Sequence, residues 1–134
     1  MNIILLSGGS GKRLWPLSND IRSKQFIKLF KDDNGNYESM VQRVYRQITT
    51  VNPMVKVTVA TSKNQVSVIK SQLGEKINIC VEPSRRDTFP AILLAAAYIH
   101  YELGIGVEEC IAVCPVDPYV DNDYYKCVGE LENL

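Results

Sequence analysis

A chain of 134 residues suffices for one compact domain with a buried core. Its 46% hydrophobic and 22% charged residues exclude a disordered chain, and 15 basic side chains balanced by 15 acidic ones argue against a dedicated nucleic-acid binder. No apolar run reaches the roughly 20 residues that a membrane-spanning helix needs.

In chain order, the first element is the apolar run Ile3 to Leu6, which leads directly into glycines. It lacks a basic leader and reads as a strand rather than a signal peptide. The stretch 31–36, Lys-Asp-Asp-Asn-Gly-Asn, reads as a solvated turn. A helix follows with Met40, Val41, Val44, Ile48 and Val51 on one face. Ser39 and Gln42 have capping-box spacing at its start. A second strand is expected over 55–60, a helix over 65–73 ended by Gly74, and a third strand over 77–81.

The next helix spans about 90–103, with Asp87 or Thr88 as cap, Pro90 in the first turn and Gly104 beyond the end. Its centre, 92–98, is apolar nearly all round, as for a helix packed closely on a sheet. A fourth strand covers 111–116. A last helix starts at Asp121 and carries Tyr124, Val128 and Leu131. Cys80, Cys110, Cys114 and Cys127 lack paired spacing and read as buried free thiols of a reducing cytoplasm, with Cys110 and Cys114 facing the same side. Strand–helix alternation of this kind predicts an α/β fold, Rossmann-like, with a mostly parallel sheet and helices on both faces.

Ligands of such a sheet bind beyond the carboxyl ends of its strands. The first loop there is Gly8-Gly9-Ser10-Gly11-Lys12-Arg13-Leu14-Trp15-Pro16-Leu17-Ser18. Glycines after a strand let backbone amides approach a phosphate closely. A P-loop is excluded because Leu6 stands where its first glycine belongs and Arg13 where Ser or Thr should follow Lys12. A dinucleotide fingerprint is disfavoured by Leu14. Two further segments lie at strand ends: Glu82-Pro83-Ser84-Arg85-Arg86-Asp87-Thr88-Phe89-Pro90-Ala91-Ile92, and Pro115-Val116-Asp117-Pro118. Taken alone, the former reads as a loop entering a capped helix and Asp117 as a turn residue. His100, the tyrosines at 98, 101, 124 and 125, and the turn at 31–36 read as structural.

The glycine loop, followed by Ser23-Lys24-Gln25-Phe26, resembles the signature of sugar nucleotidyltransferases, and its Trp15 and Lys-Gln-Phe resemble the mannose-1-phosphate guanylyltransferase branch. The Glu82 to Ile92 block resembles that branch's Glu-Pro-x-x-Arg-Asn-Thr-Ala-Pro-Ala-Ile. Three positions depart from the pattern: Ser23 stands for a usual Pro, Asp87 for Asn, and Pro118 for the His after the metal Asp. The resemblance implies that residues 1–134 are the N-terminal nucleotide-binding part of a nucleotidyltransferase domain, truncated before most sugar contacts and a second metal-binding Asp.

It further implies transfer of GMP from GTP to mannose 1-phosphate, with Arg13 and Lys24 as catalytic cations and Asp117 holding Mg2+. Leu6, Gly8, Gly9, Ser10, Gly11, Lys12, Glu82, Pro83, Arg86, Asp87 and Thr88 are the nucleotide-binding candidates, Glu82 facing the donor edge of guanine. Magnesium prefers oxygen ligands and keeps waters, so one carboxylate plus phosphates can hold it. No nucleic acid or membrane partner is expected, and a homo-oligomer is compatible with the sequence. Three alternatives stay open: a sugar nucleotidyltransferase using UTP, dTTP or CTP, a dinucleotide-dependent dehydrogenase, and a non-catalytic nucleotide-binding module.

Overall fold

The computed structural model describes residues 1–8, 18, 23–84 and 86–133. Among the described residues, six strands and four α-helices follow one another as β1 (Asn2–Leu6), β2 (Lys28–Lys31), β3 (Tyr37–Ser39), α1 (Met40–Val51), β4 (Lys56–Ser62), α2 (Val66–Leu73), β5 (Asn78–Glu82), α3 (Thr88–Tyr101), β6 (Ile111–Pro115) and α4 (Asn122–Glu130). Four of these strands form one sheet in the order β5-β4-β1-β6, parallel throughout. The first strand lies inside. The next two of the sheet run outward on one side of it, and the last returns to its other side. This reversal creates a crevice at the carboxyl ends of the central strands.

Alternation along each strand divides the core in two. Ile3 and Leu5 of β1 and Val57 and Val59 of β4 face a cluster with Val41, Val44 and Ile48 of α1, Ile69 of α2 and Tyr125 of α4. Ile4 and Ala60 face the opposite side, with Cys80 and with Ala95 and Ile99 of α3. Helices therefore cover both faces, as the alternation of elements predicts. Burying each such Val or Ile side chain is worth roughly 1.5–3 kcal/mol.

Local chemistry sets the element ends. Both halves of the capping box form at α1: Ser39 Oγ accepts from the Gln42 amide at 3.3 Å, and the Ser39 amide donates to Gln42 Oε1 at 3.1 Å. Gly74 follows α2 with φ 101°, and Gly104 lies beyond α3 with φ 67°, conformations open to glycine without a Cβ clash. Asp121 caps α4 by accepting from the Asp123 and Tyr124 amides.

The stretch 31–36 is the solvated turn expected, at the tip of a hairpin in which β2 and β3 pair antiparallel, with Asp32 accepting from the Asn34 and Asn36 amides at 2.9 and 2.8 Å. Three other sequence expectations need correction. Helix α3 does not bury its apolar circumference. It lies on one sheet face, so only Ala91, Ala95 and Ile99 reach the core, while Phe89 and Leu93 stay 73% and 61% exposed. In α4 the residue that enters the core is Tyr125, at 3% exposure, rather than its neighbour Tyr124 at 40%. Finally, Cys80 and Cys114 are buried, but Cys110 is only half-buried and Cys127 is exposed. Among the described residues no helix is long and apolar enough to cross a membrane.

Candidate functional site

A cleft of about 460 Å3 opens at the carboxyl ends of the sheet, where the strand order reverses. Its walls come from the end of β1 (Leu6, Gly8), from Ala60 of β4 and Glu82 of β5, and from Val113, Pro115 and Asp117 on and after β6. The first turns of α3 close it with Asp87, Thr88, Ala91 and Ile92. Six nucleotide-binding and metal candidates of the sequence thus meet here: Leu6, Gly8, Glu82, Asp87, Thr88 and Asp117.

Glycine at position 8 has a steric reason. A Cβ built there would stand 3.2 Å from Glu82 Oε1, tighter than ordinary contact. The bare backbone lets β1 and the Glu82 carboxylate share one wall. Asp87 has φ 76° and ψ −174°, a region populated essentially by glycine. It caps α3 unusually, its Oδ1 accepting from the adjacent Thr88 amide at 3.2 Å. Strained backbone therefore lines the cleft directly.

Lys24 is not part of the cleft wall but reaches its rim. Its Nζ lies 3.1 Å from Asp117 Oδ1, with the two side chains 45% and 59% exposed. The catalytic and metal candidates of the sequence, 93 positions apart (117 − 24), thus form one ion pair. An exposed pair of this kind contributes only about 0.2–1 kcal/mol to folding. Both partners remain open to a ligand.

Neighbouring elements hold the two sides of this pair. Lys24 opens a short 3-10 turn, Lys24–Phe26, whose Gln25 and Phe26 are buried. Gln72 Nε2 of α2 donates to Phe26 O at 3.0 Å. After β6, Val120 O accepts from Arg43 Nη2 and Gln47 Nε2 of α1, each at 2.9 Å. The Arg43 guanidinium lies 4.4 Å from the Tyr119 ring centroid, and Phe30 of the hairpin packs against that ring at 5.4 Å. Arg43 is itself near Glu38, which Arg46 grips through two hydrogen bonds of 3.0 and 2.7 Å. The hairpin and α1 thus brace the segment that follows Asp117.

Pro83 and Arg86 line a smaller neighbouring hollow with Ser84, Pro90 and Leu94, sharing only Glu82 and Ala91 with the main cleft. Arg86 Nε donates to Ser84 Oγ at 3.3 Å. Gly9, Ser10, Gly11, Lys12 and Arg13 lie outside the described residues. Among the cleft residues, Ala60 and Val113 carry no motif; only the parallel register that pairs Ala60 with Leu6, and the place of Val113 two residues before Pro115 on one strand face, could have singled them out. His100 sits near the end of α3, where Nδ1 donates to Ile105 O at 2.8 Å, a structural contact.

The cleft carries three carboxylates, Glu82, Asp87 and Asp117, with Lys24 at its rim, and lies at the crevice of a parallel sheet, where ligands of such folds bind. The protein-family model described as "Nucleotidyl transferase" matches residues 2–133. The alginate biosynthesis protein AlgA of Pseudomonas putida is 34% identical over 123 residues, 89% of this chain and 24% of that protein. A mannose-1-phosphate guanylyltransferase of Escherichia coli is 37% identical over 97 residues, 69% of this chain and 20% of that protein. Among solved structures, a Thermus thermophilus protein described as a mannose-1-phosphate geranyltransferase superposes with a TM-score of 0.73 at 28% identity, over 96% of this chain and 36% of that one. The chain therefore spans about a quarter or less of the curated relatives named here. With a family match running along almost its whole length and a parallel sheet whose cleft gathers the motif residues, this chain belongs to the nucleotidyl transferase family.

Proposed function

We propose that this chain is the nucleotide-binding part of a sugar-1-phosphate nucleotidyltransferase that moves GMP from GTP to mannose 1-phosphate and releases pyrophosphate, in a reducing, cytoplasmic setting. The observation that carries this reading is the convergence of Lys24 and Asp117 at the rim of a cleft walled by Gly8 and Glu82. A phosphoryl oxygen of the sugar phosphate attacks the α-phosphorus of GTP, and the bond to the pyrophosphate leaving group breaks. The nucleophile is already an anion, so no general base is required. The work lies in holding several anions in line and offsetting the charge on phosphoryl oxygens with fixed cations.

Lys24 supplies one such cation, and Arg13 in the glycine loop a second. The glycine-rich segment Gly8, Gly9, Ser10, Gly11 and Lys12 binds the phosphates in this reading. Glu82 takes the donor edge of the base beside Asp87 and Thr88, with Pro83 and Arg86 in the neighbouring hollow.

Magnesium fits Asp117, whose carboxylate is 59% exposed at the rim. Among the described residues no three His, Cys, Asp or Glu side chains are grouped to hold a metal; with Asp117 as a protein ligand, nucleotide phosphates and waters would complete the shell. When bound, the ion would neutralise phosphate charge and so ease the approach of a second anion.

Ligand-dependent melting tests the reading. At a hundredfold excess over its dissociation constant a ligand raises stability by about 2.7 kcal/mol. GTP or GDP-mannose should raise the melting temperature more than ATP, UTP or NADH. Equal shifts with all of them would remove the guanylyl assignment, and a response led by UTP would point to a different sugar nucleotide. A response led by NADH would favour a dehydrogenase, and GTP binding without transfer in a longer form of the protein would favour a non-catalytic module.

A further inference from the structure

We infer that Gln25 is a positioning residue which sets Lys24 and the Gly8 wall relative to one another, acting through a buried amide network rather than by touching the ligand. This inference rests on the role proposed above for Lys24. Gln25 is 3% exposed, and its Nε2 donates to Ser7 O and to Ser7 Oγ, both at 2.8 Å. The same nitrogen is 3.4 Å from Gln65 Oε1, which accepts from Thr61 Oγ1 at 2.9 Å. Thr61 Oγ1 in turn lies 3.3 Å from Ser7 O. Ser7 and Thr61 are fully buried and Gln65 is 2% exposed.

These four side chains join the 3-10 turn Lys24–Phe26 to the ends of β1 and β4. Ser7 immediately precedes Gly8 of the cleft wall, and Lys24 immediately precedes Gln25. One amide therefore fixes both segments by direction as well as by distance. An apolar side chain could fill the same volume, but it would leave the rotation of the turn undefined and the buried Ser7 hydroxyl without its Gln25 partner. Gln72 offers an internal contrast. It holds the same turn at Phe26 O, away from Ser7.

The test compares Gln25→Met with Gln72→Met, each close in volume to the side chain it replaces. Reductive methylation with isotope-labelled formaldehyde puts a reporter on every lysine amine, and the Lys24 resonance is assigned by its loss in Lys24→Arg. In the unaltered protein the Lys24 resonance should stand apart from those of surface lysines because of Asp117. Gln25→Met should move it to the surface-lysine position, and Gln72→Met should leave it in place. GTP affinity should fall by about tenfold in Gln25→Met while guanosine affinity is kept.

An unmoved Lys24 resonance in folded Gln25→Met overturns the inference, as does an equal movement in Gln72→Met. A moved resonance with unchanged GTP affinity also overturns the positioning role. If Gln25→Met does not fold, Ser7→Ala, which removes only the hydroxyl acceptor, decides by the same resonance. Failure of the unaltered protein to bind GTP would sink the proposed function alone, because the resonance reports on Gln25 without any nucleotide.

Discussion

Asp87 stores strain at the lip of the cleft, and replacing it with glycine should stabilise the fold while weakening the site. Its φ of 76° with ψ −174° falls where only glycine is at ease. Holding another residue there costs on the order of 1–3 kcal/mol. Asp87→Gly removes that cost. Against it stand about 0.4–1 kcal/mol for the freer unfolded chain and a few tenths for the lost cap. The cap is poor to begin with, since Asp87 accepts from the adjacent Thr88 amide at 3.2 Å instead of that of Phe89, and Pro90 in the next position has no N–H to offer.

The net expectation is stabilisation by about 1 kcal/mol, or a rise of about 3–5 °C in melting temperature for a domain of this size. Asp87→Ala keeps the strain and loses the cap, so it should melt lower than the unaltered protein by a similar amount. Both variants should respond less to GTP, because the carboxylate lines the cleft. Thermal unfolding followed by circular dichroism, with and without GTP, measures all of this. If Asp87→Gly melts as low as Asp87→Ala, the backbone strain argument fails.

Gly8→Ala should push the Glu82 carboxylate away from its 3.2 Å approach and cut the GTP-induced melting shift, with little change in the apo melting temperature; an undiminished shift would separate Glu82 from nucleotide binding. Lys24→Ala and Asp117→Ala should each leave apo stability within about 1 kcal/mol, because the pair is exposed. Lys24→Ala should weaken GTP binding, and Asp117→Ala should abolish its dependence on magnesium, as calorimetric titration would read; magnesium-dependent binding by Asp117→Ala would rule out the metal role. Tyr125 carries a pH dependence. Burial, chiefly, pushes its phenol from 10.0 up to about 12. A raised folded-state value means the contribution is whole below pH 10 and is lost as pH climbs from about 10 to 12, roughly 2–3 kcal/mol in all. The hydroxyl has no partner among the described residues, so Tyr125→Phe should be neutral or stabilising at pH 7 and should flatten that alkaline loss. Urea unfolding between pH 9 and 12 would show an unchanged alkaline slope if the reasoning is mistaken. Residues 1–134 alone should bind GTP weakly and release no pyrophosphate with mannose 1-phosphate, since positioning accounts for roughly 7–11 kcal/mol of barrier reduction and the attacking phosphate would lack its holders. Robust turnover would place the sugar site within this chain.

The sequence by itself determined the elements whose signals are local. The capping box at Ser39 and Gln42, the glycines after α2 and α3, and the short Val- and Ile-rich strands each depend on a few neighbouring residues, and each appears in the fold. The motif loops also contain Gly8, Glu82, Asp87, Thr88 and Asp117, which line one cleft because strand ends in a parallel sheet gather at one edge.

Tertiary structure alone decided what depends on distant partners. The hairpin β2–β3 has little hydrophobic pattern of its own, and its Glu38 is buried only because Arg46 and Arg43 meet it from α1. The apolar sequence of α3 could not say which face would reach the sheet; a single supporting layer left only Ala91, Ala95 and Ile99 inside. In α4, Tyr124 and Tyr125 are chemically alike, and a one-residue rotation, about 100° around the helix, chose which of them was buried. The amides of Gln25 and Gln65 are buried although polar side chains of this type are mostly exposed. They are buried because chain segments far apart in sequence brought them hydrogen-bond partners that replace water.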